Sequence, residues 1–511
     1  MPELTNLLLL ALCWACTLSA STLLTSIGPF AAEAAGASTA LAPLAIACFL
    51  FGAAFASIPS AWIFKRCGRR SGFLIGCAFM VAAGATGAVG LEVETLELVY
   101  VSTFLAGLAQ GFGQFYRFAA MEVCTPTRKP FAVTLVLSGG VLAAFAGPQL
   151  AIRTRHLLSD SCGCHEYMGS FVMVGVIGVV NAVVTASVRY APPGAGSARA
   201  TPLLRTRADE EAPPPPEVPL HRLMLQPRCM VAVAVATVAH TSMVMLMSPL
   251  TVAMRAHGIA DEMTTLALEL HFFAMFAPGF VTGRVIATVG PVATSLLGVA
   301  LFGGAAATLA SGQAFANFVV GMALCGVSWN LCFSSGTLLL ASCYTPADAP
   351  RVQGANDFII FFVAGSGSFA SGYVYSGWGW TKLVCFSSGL VAALLVLLLA
   401  FIALTRAANA AANAVASDAA AKGEGSSSSA RPSQTIPAVL SVASSIASVA
   451  SETSELSQRA SVMSEAVWQP YPTDNEALAR DAWSTSSLPR LSGAPSLFAS
   501  GALPNVVAGD V

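Results

Sequence analysis

Three groups of polar side chains interrupt an otherwise apolar sequence at spacings that could do work. In AGLAQGFGQFYRFAAMEV, residues 106–123, Gln110, Gln114 and Arg117 recur at i, i+4 and i+7, one face of an α-helix. A guanidinium at bilayer depth is expensive and normally faces a bundle interior or a water-filled cavity. Its planar fork suits a carboxylate, which makes Arg117 the candidate contact for an anionic solute group. It also lies about two turns from the helix end, close enough to snorkel instead. Glu269, His271 and His240 form the second group. A carboxylate in low dielectric could exchange a proton in the physiological range, as coupling to a proton gradient requires. The third group is the basic loop PSAWIFKRCGRRSGF, which carries Lys65, Arg66, Arg69 and Arg70.

The first group has a counterpart later in the chain. A shift of about 220 positions lays Thr125-Pro126 on Thr345-Pro346, Pro130 on Pro350 and Gly147 on Gly367. The same shift lays Gln110, Gln114 and Arg117 on Asn330, Ser334 and Thr337, again a polar stripe on an apolar helix. Together with Trp329, these side chains would supply hydrogen bonds and a stacking surface near the bilayer midplane. Polar packing between helices is the plainer role for each. A doubled unit with a wet face turned inward is the plan of a transporter.

Such helices need lipid around them. Hydrophobic residues make up 55% of the 511 and charged residues 10%, against about 25% charged in a soluble domain. At about 20 apolar residues per crossing, twelve helices are predicted, an all-α membrane fold. The first six begin near Thr5, Thr39, Ser71, Leu96, Pro130 and Glu166; the second six begin near Cys229, Met263, Val292, Phe315, Val352 and Lys382. The halves span 1–188 and 229–405. Between them, 189–228 holds EEAPPPPEVP and reads as a flexible linker. After Arg406 the chain turns to Ala, Ser and Gly, and 406–511 reads as a disordered tail. The N-terminal apolar run lacks a basic flank and is expected to stay as the first helix rather than be cleaved.

Charge placement orients the bundle. With the N-terminus inside, Lys65, Arg66, Arg69, Arg70, Arg128, Lys129, Arg284, Arg351 and the linker arginines share one side; Arg153, Arg155, Arg255 and Lys382 remain on the other. That asymmetry puts both termini in the cytoplasm. Most of the 13 cysteines are scattered singly in apolar runs and read as small hydrophobes. The close pair Cys162-Gly-Cys164 lies in a loop, with no second cluster to complete a metal site. No Walker loop, zinc-ligand pair or nucleophile elbow occurs at usable spacing, so neither an enzyme nor a cofactor is expected.

The basic loop resembles the signature of the major facilitator superfamily, Gly-x-x-x-Asp-Arg-x-Gly-Arg-Arg, through Arg66, Gly68, Arg69 and Arg70. Lys65 stands where that signature has its acid, and Ala61 replaces its first glycine. The matching loop GRVIATVGP keeps Gly283 and Gly290. Gln110, Gly111 and Gly113 resemble the family pattern of the fourth helix, with Gly107 in place of its arginine, and Gly147-Pro148 resembles the core of the antiporter signature. The resemblance spans about residues 5–405 and implies twelve helices in two halves. It also implies a loop whose charges pair with helix-end acids to shut the cytoplasmic side. The expected pairs are Arg69 or Arg70 with Glu122, and Lys65 or Arg66 with Asp357; a solvated loop that only sets orientation is the alternative. The function expected is secondary active transport of a small organic solute, anionic if Arg117 contacts it, with protons as the coupling ion if Glu269 titrates. A proton-coupled drug exporter lined by Met243, Met247, Phe273 and Phe276, or a transporter-like sensor signalling through its tail, are the rivals. Beyond solute, protons and lipid no partner is expected, nucleic acid included, and the chain should be a monomer.

Overall fold

The computed structural model describes residues 2–125, 129–190, 218–345 and 348–423. The bulk of the linker, residues 191–217, and the tail from 424 onward lie outside the described residues, as do Pro126 and Pro346 of the repeat. What is described is helical throughout. Ten helices are long and apolar enough to cross a membrane. Two of them, Leu44–Glu92 and Ala349–Gly423, are broken by a non-helical glycine, Gly68 and Gly379. Counted as separate arms, the described residues make twelve crossings, consistent with the expected fold.

These crossings are α1 (Pro2–Ala34), α2 (44–67), α3 (69–92), α4 (Leu96–Glu122), α5 (Lys129–Thr154) and α6 (Met168–Ser187). They continue as α7 (Pro227–Ala256), α8 (Asp261–Val289), α9 (Pro291–Ser311), α10 (Phe315–Ala341), α11 (349–378) and α12 (380–423). The last runs well past Arg406 through AANAAANAVASDAAAKG, because alanine is the strongest helix former.

The repeat seen in the sequence is also a repeat of backbone geometry. Both α4 and α10 are 27 residues long, and they begin at Leu96 and Phe315. Gly68, in the basic loop, has φ 79° and ψ 169°; Gly290, in the loop that matches it, has φ 86° and ψ 159°. Only glycine adopts that region freely, so both turns depend on it. The helix packing matches too. A Cβ at Gly107 of α4 would strike the Phe49 carbonyl of α2, and one at Gly326 of α10 would strike the His271 carbonyl of α8. Small residues let the backbones touch where apolar attraction alone gives no preference over lipid.

Two seams join the first six helices to the last six. Along α2 and α11, Phe51 meets Phe362 at 5.4 Å, Phe55 meets Phe358 at 6.1 Å, and Ser368 donates to the Pro43 carbonyl at 3.2 Å. Along α5 and α8, Phe145 meets Phe273 at 5.7 Å, and Phe276 lies over Gly140. The described ends of the linker are tied down. Arg189 exchanges two hydrogen bonds with Asn6, and Arg351 donates to the Val218 carbonyl.

Candidate functional site

At the end that carries the basic loop, the turn at Gly68 brings Arg69 of α3 to Glu122 of α4. The guanidinium grips the carboxylate through Nε at 3.0 Å and Nη2 at 2.5 Å. This is one of the two expected pairings. Arg70 instead donates to the Val188 carbonyl after α6 at 3.0 Å. Both contacts stay within the first six helices.

The other expected pairing is corrected. Asp357 of α11 is approached by Arg117 of α4, Nη2 to Oδ2 at 3.8 Å, and not by Lys65 or Arg66. Arg66 lies over the Trp62 ring at 4.2 Å, and Lys65 is exposed. Lys65 and Arg66 lie exposed in the loop, whereas Arg117 lies within α4, five residues before Glu122, and reaches α11. Arg117 is therefore already opposite a carboxylate, although its Nε is buried without a partner. Its guanidinium also lies over Phe118 at 4.9 Å, and Asn356 donates to Asp357 at 3.1 Å. This pair crosses between the two groups of helices.

At the opposite end the crossing is denser. Arg155, just after α5, binds Glu166 before α6 and Asp261 at the start of α8. Arg255 of α7 reaches Asp261 at 3.3 Å and the Tyr167 hydroxyl at 3.5 Å, and lies over the Phe30 ring of α1 at 3.6 Å. Burial pushes the Tyr167 phenol up, the nearby arginines partly opposing it, so it stays a neutral donor or acceptor at any physiological pH. Beneath these charges lies a small cleft lined by Ser26, Phe30, Arg155, Tyr167, Asp261 and Thr264 among others. The acidic half of this cluster, Glu166 and Asp261, was not singled out from sequence. Its signal was available, since four charged residues near helix ends outside the basic face need partners.

Between the two ends lie the midplane residues. Gln110 accepts from Ser21 of α1 at 2.8 Å and is buried; Gln114 is half-buried. Asn330 donates to the Met275 carbonyl at 2.7 Å and accepts from Thr282 at 2.6 Å, so it pins α10 to α8. Ser334, one turn on, is half-buried. Trp329 stacks on Phe333 at 4.8 Å and donates its indole N–H to His240 Nδ1 at 2.9 Å. Met243 and Met247 are buried in the apolar core of the last six helices.

The titratable group does not converge. Glu269 is buried and accepts from Gln149 of α5 at 2.5 Å, across a seam. His271 is fully buried and donates through Nδ1 to the Met322 carbonyl at 2.7 Å, facing α10. His240 belongs to the aromatic cluster. Glu269 and His271 are two residues apart and so leave the helix in different directions. Among the described residues no group of His, Cys, Asp and Glu could hold a metal ion. Cys164 is disulfide-bonded, and the side chain of Cys162 lies outside the described residues.

A helical bundle with two packed seams, charged contacts at both ends and polar groups between is the architecture of a multi-pass membrane carrier. The comparisons agree. The family model of the Major Facilitator Superfamily matches residues 9–252. A riboflavin transporter of Brucella anthropi, RfnT, is 30% identical over 391 residues, 76% of this chain and 94% of its own. An uncharacterized MFS-type transporter of Bacillus subtilis, YdeG, is 25% identical over 73% of this chain and 85% of its own. Among solved structures, the human organic anion transporter MFSD10 (TETRAN) superposes with a TM-score of 0.56 at 15% identity, covering 78% of this chain and all of that one. The chain belongs to the major facilitator superfamily.

Proposed function

We propose that the chain is a secondary active transporter that carries a small organic solute by alternating access between two six-helix halves, 1–188 and 229–405. The observation that carries this reading is the charged contact between the groups of helices at each end, Arg117 with Asp357 and Arg155 with Asp261. Contacts of this kind can be made and broken as two rigid halves rock, without unfolding either.

The riboflavin transporter relative makes riboflavin the first solute to test. A neutral solute fits the site better than the anion anticipated for Arg117, because Asp357 already answers that charge. Proton coupling is assigned to Glu269, whose buried carboxylate accepts from the neutral amide of Gln149 across the α5–α8 seam. Gln110, Gln114, Asn330 and Ser334 line or brace the path between the locks. The basic-loop end is assigned to the cytoplasm by the positive-inside pattern. The disulfide-bonded Cys164, in the α5–α6 loop of the other end, supports that assignment, because disulfides persist on the oxidising side of a membrane. Both termini are then cytoplasmic.

The test is riboflavin uptake by the purified full chain in proteoliposomes, with and without a proton gradient. Saturable uptake is expected, and Glu269→Gln should remove its dependence on the gradient. If a broad metabolite panel also shows no flux, the transporter reading fails. The orientation is checked by thiol labelling of the exposed Cys67, which should react only from the cytoplasmic face.

A further inference from the structure

We propose that the ring cluster of His240, Trp329, Phe333 and Phe361 is the solute-recognition wall of this transporter. It takes a planar heteroaromatic ring with a hydrogen-bond acceptor on its edge. The inference rests on the transporter reading above.

The wall is assembled from three helices. Trp329 and Phe333 are i and i+4 on α10, and their rings stack nearly parallel, 19° apart at 4.8 Å, so each ring holds the other's plane fixed. His240 of α7 stands 5.8 Å from Trp329 and 6.0 Å from Phe333, and meets Phe361 of α11 edge-on at 5.6 Å and 90°. Flat faces presented in this way favour flat solutes, and stacking tolerates different rings because each has a π-face.

The edge contact follows from the tautomer of His240. Its Nδ1 accepts the Trp329 indole N–H at 2.9 Å, so a neutral imidazole must carry its proton on Nε2. That N–H has no partner among the described residues, although His240 is only 8% exposed. A donor aimed from an anchored ring and left without an acceptor is suited to a carbonyl or ring nitrogen of a ligand. The contacts these four rings make with one another involve no carboxylate or cation among the described residues, so the wall selects for shape and acceptor rather than charge.

The wall also lies where alternating access would expose it. Phe276 of α8 meets Trp329 edge-on at 6.2 Å, and the same ring sits over Gly140 of α5. Parting α5 from α8 takes the α5 backbone off this ring and opens that edge of the wall. Asn330, the neighbour of Trp329, ties α10 to α8 through Thr282 and Met275, which keeps Phe276 and the wall together while α5 moves.

The experiment measures riboflavin binding to the full chain in lipid nanodiscs by quenching of flavin fluorescence, alongside proteoliposome uptake. Wild type should bind and quench. Trp329→Ala and Phe333→Leu should weaken binding at least about tenfold, in line with the loss of one stacking partner. His240→Phe, which keeps a ring and removes the donor, should weaken it by about the same factor. Trp329→Phe should retain more affinity than Trp329→Ala. Phe369→Leu, outside the wall, should bind as wild type and controls for general loosening. Unchanged binding in folded Trp329→Ala and His240→Phe, or no binding of riboflavin or of adenine as a second planar probe by wild type, would overturn the proposal. If that wild type still takes up a non-planar solute such as ribitol, the transporter reading stands and only the wall is lost. If it takes up nothing, the transporter reading itself is lost.

Discussion

The two ends of the bundle are closed in different ways. At the basic-loop end a single charge pair among the described residues crosses between the groups of helices, Arg117 with Asp357 at 3.8 Å, and the tight bidentate pair, Arg69 with Glu122, stays within one group. At the opposite end two arginines, one from each group, converge on Asp261, and a third contact joins Arg255 to Tyr167. Networks in which one carboxylate serves several donors hold geometry better than isolated pairs, because each member orients the next. The Arg155 end thus carries the denser network of charged contacts between the two groups, and the basic-loop end one long pair. A rocking transporter needs this inequality in each of its end states.

Breaking the stronger closure should have the largest effect. Arg155→Ala leaves Glu166 and Asp261 without their shared guanidinium, and a shift of about 1.4 kcal/mol changes a two-state population tenfold. Uptake is expected to fall about tenfold, and a cysteine placed at Thr264, in the cleft beneath, should label faster from that side. Labelling no faster than in the Thr264→Cys parent would mean that the network does not close the end.

The lighter latch should respond less. Asp357→Asn is expected to change uptake about threefold, since the pair is long and partly hydrated and such pairs contribute about 0–1 kcal/mol. The exchange Arg117→Asp with Asp357→Arg should restore more than half of what either single change removes. Failure of the exchange to rescue would assign Arg117 to the solute instead.

Arg69→Ala and Glu122→Ala should act on stability rather than on transport. Each should lower Tm by a few degrees, with the double variant no worse than either single, a coupling read by a double-mutant cycle. Lys65→Ala is expected to do least: no measurable change in uptake or Tm, because the side chain is exposed and not part of the crossing pair. An effect of Lys65→Ala comparable with that of Asp357→Asn would return the latch to the loop.

Much of this was legible in the chain. The twelve crossings follow from apolar run length, and the repeat from the matching of Thr125-Pro126 with Thr345-Pro346, of Gly147 with Gly367 and of the two polar stripes. That Arg69 or Arg70 would meet Glu122 was also readable, because the loop and the end of α4 meet at one membrane face; that it is Arg69 was decided by the packing. The same stripes show where reading stopped. Gln110 and Asn330 occupy equivalent places, yet Gln110 bonds α1 while Asn330 is spent on α8. Nor could spacing reveal that His240 and Trp329, 89 residues apart, would share a proton.

What the sequence by itself determined is therefore the solvent, the number of crossings, the doubling and the basic face. Each depends on local composition and period, which lipid reads one helix at a time. What only the tertiary structure decided is which charge meets which across the seams, and that three helices bring four rings together. Side-chain direction on a helix is set by its rotation against its neighbours. That rotation is chosen by close packing at positions such as Gly107 and Gly326, and no single helix carries the information.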